Sequence, residues 1–458
     1  MLPPVISVKG KPFQCGQQYG SQAQKIIREN VAVYFDMWRT LWGAEREEIL
    51  EKSRALIPVI GDYDAGILEE LEGLARGAEL SLDEIIAINA RYEINFSLGI
   101  SCLYQGGGCT SVSSLPQVTR DGHTLIGQNW DWLPRFQEFN VILKAEQAGR
   151  PSVVIQPEAG ILAHRGMNSA GIGACFNGLA TSRDAFGATV PCLLIMRRIL
   201  NSESFSQALE AVLQVKATVS GNFFIAHRDG EAISLEMSPA DVGFVYPEDG
   251  ILTHSNHFIA LKNRENFADI LPSLYPDTLL RHQRARHLLE PEKGHIDVSS
   301  FQRVFQDHFS QPNSICRHLD ERVDGIKQWV NPVFGHHGFE RAGDVRGQRL
   351  SLPERVRKSA LLRPAQEVTS VGISKIQVDE KQVQAVPSPF CKGRLRGILN
   401  LEIPPHPPFF KGGKWPKKAF SAPGKNYFRR VLSGEQVFRL FPALVAFAVE
   451  GGDNPIGV

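Results

Sequence analysis

The sequence predicts an α+β layered fold, and three observations predict it. The first hundred residues carry apolar side chains at helical spacing. From residue 109 to about 254 the pattern changes to short apolar runs separated by Gly, Asp and Asn turns, with two helices among them. No GxGxxG follows a strand and no P-loop lysine occurs, so hairpin strands with a helical pair argue for layers and against a parallel Rossmann sheet. At 458 residues the chain can bury at least one large core.

In order, Val5 to Val8 reads as a short strand before the Gly10-Lys11 turn. Gly16 to about Trp42 repeats Ile26, Ile27, Val31, Tyr34, Met37 and Leu41 at helical period. Further helices are expected over Glu45 to Ile57 and Gly66 to Gly77. A fourth is opened by the capping box Ser81-Leu82-Asp83-Glu84 and runs towards Tyr92. Strands are expected over Thr124–Gln128, Val141–Glu146, Ser152–Gln156, Gly171–Phe176, Phe223–His227, Ala232–Met237, Gly243–Tyr246 and Ile251–Thr253. Asp121-Gly122 and Asp229-Gly230 suit type I′ hairpin turns. The two helices lie near Val190 to Ser202 and Phe205 to Val215, the second capped by Ser202 or Ser204.

From about Gln328, prolines, glycines and basic residues accumulate and periodicity is lost. Two strands are expected at Val368–Ile376 and Gln382–Val386, and one Pro442-interrupted helix over Leu432 to Val449. Residues 392–458 otherwise read as an irregular, disordered or non-native tail, since Pro389-Phe390-Cys391-Lys392-Gly393 is echoed at Pro408-Phe409-Phe410-Lys411-Gly412.

Composition excludes several function classes. A formal net charge of +1 speaks against nucleic-acid and membrane-surface binding. No run of eighteen apolar residues occurs. The start has no signal-peptide core, and the seven cysteines lack CxxC spacing, which points to reduced thiols in the cytoplasm. No cofactor is expected.

The chemistry is expected at Gly106-Gly107-Gly108-Cys109-Thr110-Ser111, where a flexible glycine run presents a thiol at a strand start. Cysteine is often simply buried, so the reading as nucleophile needs a base nearby. His254 and His257, after a predicted strand, could serve a Cys/His hydrolase or bind a metal, or be strand-end histidines with their hydrogen bonds met. Alternatively, cleavage of the Gly108–Cys109 bond would give Cys109 an α-amine with pKa near 7.7 to 8.0, able to take the thiol proton.

Gly107-Gly108-Cys109-Thr110-Ser111 with Gly127-Gln128-Asn129-Trp130-Asp131-Trp132 resembles the isopenicillin-N acyltransferase-like family of self-processing N-terminal-nucleophile enzymes. Gly166-Met167-Asn168-Ser169-Ala170-Gly171 leading to Phe176-Asn177-Gly178, then His254-Ser255-Asn256-His257-Phe258, then Ser314-Ile315-Cys316-Arg317-His318, agree with it and, more loosely, with bile-salt hydrolases and penicillin V acylases. Leu68 to Ala78 and Asn89 to Glu93 resemble its pro-segment. The resemblance spans roughly residues 5 to 320. It implies a four-layer αββα sandwich with a helical pro-segment over 1–108 and a catalytic domain over 109–391, in which 323–366 is an insertion. Cys109 would be nucleophile and N-terminal base, and Asp131 would hold its α-amine. The amide of Asn256 and the backbone N–H of Asn177 would serve the oxyanion, and Arg317 would orient the site or a substrate carboxylate.

The substrate would be a small acyl amide or acyl thioester, with water or an amine as acceptor, and the cleaved chains would stay together. Gln128 departs from the bile-salt branch, where an arginine stands three residues before the aspartate. A second fixed charge near the nucleophile is therefore expected to be missing. A non-catalytic binding relative and a Cys/His hydrolase remain the alternatives.

Overall fold

The computed structural model describes residues 3–97, 108–260, 267–317 and 444–449. Strand β1 (Val5–Gly10) is followed by helices α1 (Pro12–Gln22), α2 (Gln24–Trp42), α3 (Arg46–Tyr63), α4 (Ala65–Ala78), α5 (Leu82–Asn89) and α6 (Arg91–Ser97). Strands β2 (Gly108–Ser114), β3 (Thr124–Asp131), β4 (Ile142–Gln147), β5 (Val153–Ile155), β6 (Arg165–Asn168) and β7 (Ile172–Gly178) come next, then α7 (Cys192–Leu200) and α8 (Phe205–Leu213). The chain continues through β8 (Gly221–His227), β9 (Glu231–Met237), β10 (Val242–Val245) and β11 (Ile251–His254). After these come α9 (Leu271–Leu274), α10 (Asp277–Leu289), α11 (Val298–Phe305) and β12 (Leu444–Val449).

Two sheets result. One has the order β1-β4-β5-β6-β7-β8-β9-β10, the other β11-β2-β3-β12. Side chains alternate across each strand, so successive residues sort into different layers. Phe223 and Ile225 of β8 join the large core built with the helices of residues 12–97 and with α7 and α8. Phe224 and Ala226 instead meet Ile126 of β3 and Leu252 of β11 between the sheets. On the far face of the smaller sheet, Val112, Leu125 and Ile251 pack on Ala285, Leu289, Phe301 and Phe305 of α10 and α11. Helix, sheet, sheet, helix are therefore the four layers that the resemblance implies.

The Ser81 capping box forms, with Ser81 and Glu84 exchanging side-chain-to-backbone hydrogen bonds. Five departures from the sequence reading have local causes. The helix expected from Gly16 to Trp42 is two helices, interrupted at Ala23. Helix α3 passes through Pro58 to Tyr63, its last turns held by buried Leu56 and Ile60. The fourth helix ends at Asn89 and restarts as α6. In the β8–β9 hairpin His227 pairs with Glu231, so the loop has three residues with Gly230 left-handed (φ 95°) in place of a two-residue type I′ turn. The helix expected over Leu432 to Val449 ends instead in β12, antiparallel to β3. Its all-apolar sequence has no period of its own, and the open edge of β3 decides. The strand pair expected at Val368–Val386, the insertion, and most of the tail lie outside the described residues.

The helical segment is fastened to the larger sheet. Strand β1 pairs in parallel with β4 from Val5↔Ile142 to Gly10↔Gln147. Glu70 of α4 and Arg197 of α7 form a buried two-pronged ion pair at 2.9 and 3.0 Å. Helices α1 and α4 approach backbone to backbone. A Cβ at Gly16 would lie 1.9 Å from the Glu70 carbonyl, and one at Gly73 would lie 2.0 Å from that of Phe13. Neither backbone can yield without separating the helices. Gly73→Val is accordingly expected to destabilise the protein by at least about 3 kcal/mol, the upper end of ordinary overpacking costs. A urea-unfolding midpoint close to wild type would contradict this packing.

Candidate active site

Cys109 is the second residue of β2. Its side chain shares a face with Ser111 and points between the sheets, whereas Thr110 and Val112 face α10 and α11. Its backbone is gripped on both sides. The Cys109 N–H donates to Asn256 Oδ1 at 2.8 Å, and Arg281 Nη1 donates to the Cys109 carbonyl at 2.6 Å. The same guanidinium donates to Thr110 Oγ1 at 3.0 Å, to Asn256 Oδ1 at 2.9 Å and to Asp277 Oδ2 at 2.9 Å. Asn256 also donates from Nδ2 to the Gly178 carbonyl at 2.9 Å. In the uncut chain Asn256 thus clamps the nucleophile's backbone, with its carbonyl towards Cys109 and one amide hydrogen engaged.

The turn carrying Asn256 is seated on the start of α10. Thr278 Oγ1 accepts the Asn256 N–H at 2.7 Å, and the Thr278 carbonyl accepts Ser255 Oγ–H at 2.6 Å. Buried Glu236 anchors the other side, 2.9 Å from His254 Nε2 and accepting the backbone N–H groups of Ile259 and Ala260. The Nδ1 of His254 is engaged by the Ser255 carbonyl at 2.9 Å. Both of its ring nitrogens are therefore committed to holding the turn. His257 Nδ1 sits 3.1 Å from Thr278 Oγ1 and 3.2 Å from Ser255 Oγ. Among the described residues no three His, Cys, Asp or Glu side chains group as metal ligands.

Asp131 lies opposite Gly108 in the β2–β3 register. Its Oδ2 is buried without a hydrogen-bond partner, 3.5 Å from where a Gly108 Cβ would sit. That Cβ would also lie 3.1 Å from Arg281 Nη2, so carboxylate and guanidinium both press on Gly108. Burial pushes the Asp131 carboxyl up to about 6, against the pull of Arg317 and Arg281. Burial likewise pushes the Cys109 thiol up to about 12; Asp131 adds to this, and Arg281 opposes it. An uncut Cys109 is therefore a protonated thiol that needs a base. Arg317 donates to Asp277 Oδ2, the oxygen that also receives Arg281 Nε, so Asp277 bridges the two arginines.

Asn177 stands on the inner face of β7 and accepts Ser111 Oγ–H at 2.8 Å, while its Nδ2 has no partner. Gln128, on the inner face of β3, donates to Ser111 Oγ at 3.0 Å and to the Phe176 carbonyl at 2.7 Å. Cys109, Asp131, Asn177, Asn256 and Arg317 thus come together within one connected region. The expectation of a missing second charge is corrected, because Arg281 supplies a cation directly on Cys109. Sequence reasoning missed Arg281, Asp277 and Thr278. Their signal is the spacing Thr278, Arg281, Ala285, Leu289, one buried helical face carrying polar residues.

Known proteins bear on this site. The profile of the family "Acyl-coenzyme A:6-aminopenicillanic acid acyl-transferase" matches residues 118–331. The 40 kDa form of acyl-coenzyme A:6-aminopenicillanic-acid-acyltransferase from Emericella nidulans is 30% identical over 350 residues, 76% of this chain and 94% of that one. A variant of the conjugated bile acid hydrolase from Clostridium perfringens aligns over 43% of this chain and 77% of its own, with 17% identity and a TM-score of 0.30. The penicillin V acylase from Agrobacterium tumefaciens aligns over 45% and 76%, with 13% identity and a TM-score of 0.30.

Proposed function

Since the chain belongs to the acyl-coenzyme A:6-aminopenicillanic acid acyl-transferase family, its chemistry is acyl transfer or amide hydrolysis, and we propose that it runs through Cys109 after self-cleavage of the Gly108–Cys109 bond. The observation that carries this reading is the unpartnered, buried Asp131 Oδ2 beside that bond, with the Cys109 backbone gripped by Asn256 and Arg281.

In processing, Cys109 Sγ adds to the Gly108 carbonyl carbon, the carbon–nitrogen bond breaks, and the thiol proton passes to the departing nitrogen. Water then hydrolyses the thioester, leaving Gly108 as a carboxylate and Cys109 with a free thiol and α-amine. Asn256 Oδ1, already the acceptor for this nitrogen, and Asp131 then hold the amine by charge-assisted hydrogen bonds.

In turnover the neutral α-amine takes the thiol proton as Sγ attacks the substrate carbonyl. The second amide hydrogen of Asn256 and the backbone N–H of Asn177 serve the oxyanion. The amine's proton goes to the leaving group, and an acyl-thioester remains for water or an amine to accept the acyl group. Arg317 acts through Asp277, which aligns Arg281. The pro-segment stays bound after cleavage, a reading supported by the β1–β4 pairing and the Glu70–Arg197 pair.

A Cys/His hydrolase is disfavoured by the engagement of both His254 nitrogens. No helix of the described residues is long and apolar enough to cross a membrane.

Two outcomes check this. The intact mass of purified wild type should show two fragments, the larger beginning at Cys109, while Cys109→Ala stays whole; an uncut wild type after long incubation refutes self-processing. Secondly, activity should rise with pH as the α-amine loses its proton, at or above its ordinary range of about 7.7 to 8.0. Asp131, at about 6, is ionised there, and a carboxylate beside an amine raises the amine's pKa. Asp131→Asn should therefore shift the acid limb of kcat/KM to lower pH besides lowering the rate. An unmoved limb would place Asp131 elsewhere in the mechanism.

A further inference from the structure

Four arginines are fully buried: Arg91, Arg165, Arg197 and Arg281. Three have a carboxylate in contact. Arg91 meets Glu158 at 3.0 Å, Arg197 meets Glu70 at 2.9 Å, and Arg281 meets Asp277 at 2.9 Å. Arg165 has none within salt-bridge distance. Its hydrogen bonds go to two neutral acceptors, Gln156 Oε1 from Nε at 3.3 Å and His164 Nδ1 from Nη1 at 3.4 Å, and its Nη2 has no partner. His164 is kept neutral by burial and by the neighbouring Arg165 and Arg91. The want of a counter-ion shows in Arg165 itself, which burial lowers to about 10 while Arg91 beside Glu158 is raised.

A buried guanidinium without a counter-ion is strongly destabilising, and a residue kept in that state asks for an anion from outside the chain. Its place says which anion. Arg165 lies on the inner face of β6 with Met167, opposite Cys175 of β7, in the layer into which Cys109 projects. Its guanidinium stacks 5.1 Å from the centroid of Trp130, and Trp130 is the residue paired with Cys109 across β2–β3. One indole therefore separates the unpaired cation from the nucleophile. On the same layer's face of β7, Asn177 Nδ2 is a second buried donor without a partner.

We propose that Arg165 is a recognition group for a carboxylate carried by the amide substrate that acylates Cys109. The planar fork with a free Nη2 matches a carboxylate, and a charge-assisted bond in this dry layer discriminates strongly against a neutral analogue. The proposal deepens the reading above, resting on Cys109 as nucleophile, and names a substrate class: amides bearing a carboxylate on one side of the scissile bond.

The test compares matched acid and amide pairs on the purified, mass-verified enzyme. N-benzoylglycine against N-benzoylglycinamide places the carboxylate on the amine side. Succinanilic acid against its primary amide places it on the acyl side. In at least one pair the acid should be favoured roughly ten- to hundredfold in KM, the worth of a charged hydrogen bond. Arg165→Met should erase that preference and leave kcat for the neutral member within about twofold, and Arg165→Lys should restore part of it. Which pair responds tells the side. If both pairs are flat in wild type, or if Arg165→Met keeps the preference, the proposal is overturned.

Equilibrium dialysis of the same four compounds reads the preference without turnover, so a failure of the Cys109 chemistry is seen separately from a failure of Arg165. Thermal unfolding supplies an independent arm. Arg165→Met should melt at or above wild type, as removal of an unpaired buried charge requires. A lower melting point would show Arg165 to be a structural residue.

Discussion

The grip on Cys109 is the constraint on which the site depends. Asn256 takes its N–H and Arg281 takes its carbonyl, and Arg281 also holds the oxygen of Asn256. Three separate parts of the chain must converge for this to exist. Strand β2 has to begin at Gly108, the 255–257 turn has to seat on Thr278, and α10 has to lie across the outer face of the smaller sheet. Apolar packing of Ala285 and Leu289 on Val112 and Ile251 brings α10 there, and the polar grip then fixes one arrangement. Ordinary core burial supplies the approach, and a short set of charged hydrogen bonds supplies the geometry.

The same residues explain what could be read in the sequence. The strands between 124 and 254 and the Ser81 capping box were legible because their signals are local: alternation, turn residues, a cap three residues from its partner. Cys109, Asp131, Asn177, Asn256 and Arg317 were legible only through the resemblance, since nothing in their own neighbourhoods reveals that they meet. Helix α10 was not read at all. Its buried face carries Asp277, Thr278 and Arg281, which look like a solvated surface until their partners are known. Strand β12 was misread for the opposite reason, since an apolar run without period takes its structure from the sheet edge it meets.

Charge placement shows how far one position can mislead. Gln128 leaves β3 without a cation three residues before Asp131, yet the site is not poor in positive charge. Arg281 reaches Cys109 from a helix and Arg165 faces the same layer from β6. Gln128 instead ties Ser111 to the Phe176 carbonyl, joining the two sheets beside the nucleophile. Functional charge is thus distributed over elements that only the fold brings together.

The central claim is that acyl groups pass through a thioester on Cys109. It is tested most directly by quenching the enzyme with acid during turnover of an acyl amide and locating the acyl group by peptide mass. The account predicts an adduct on the peptide that begins at Cys109, removed by neutral hydroxylamine as a thioester is. Turnover with no adduct there, or an adduct on another residue, would contradict it.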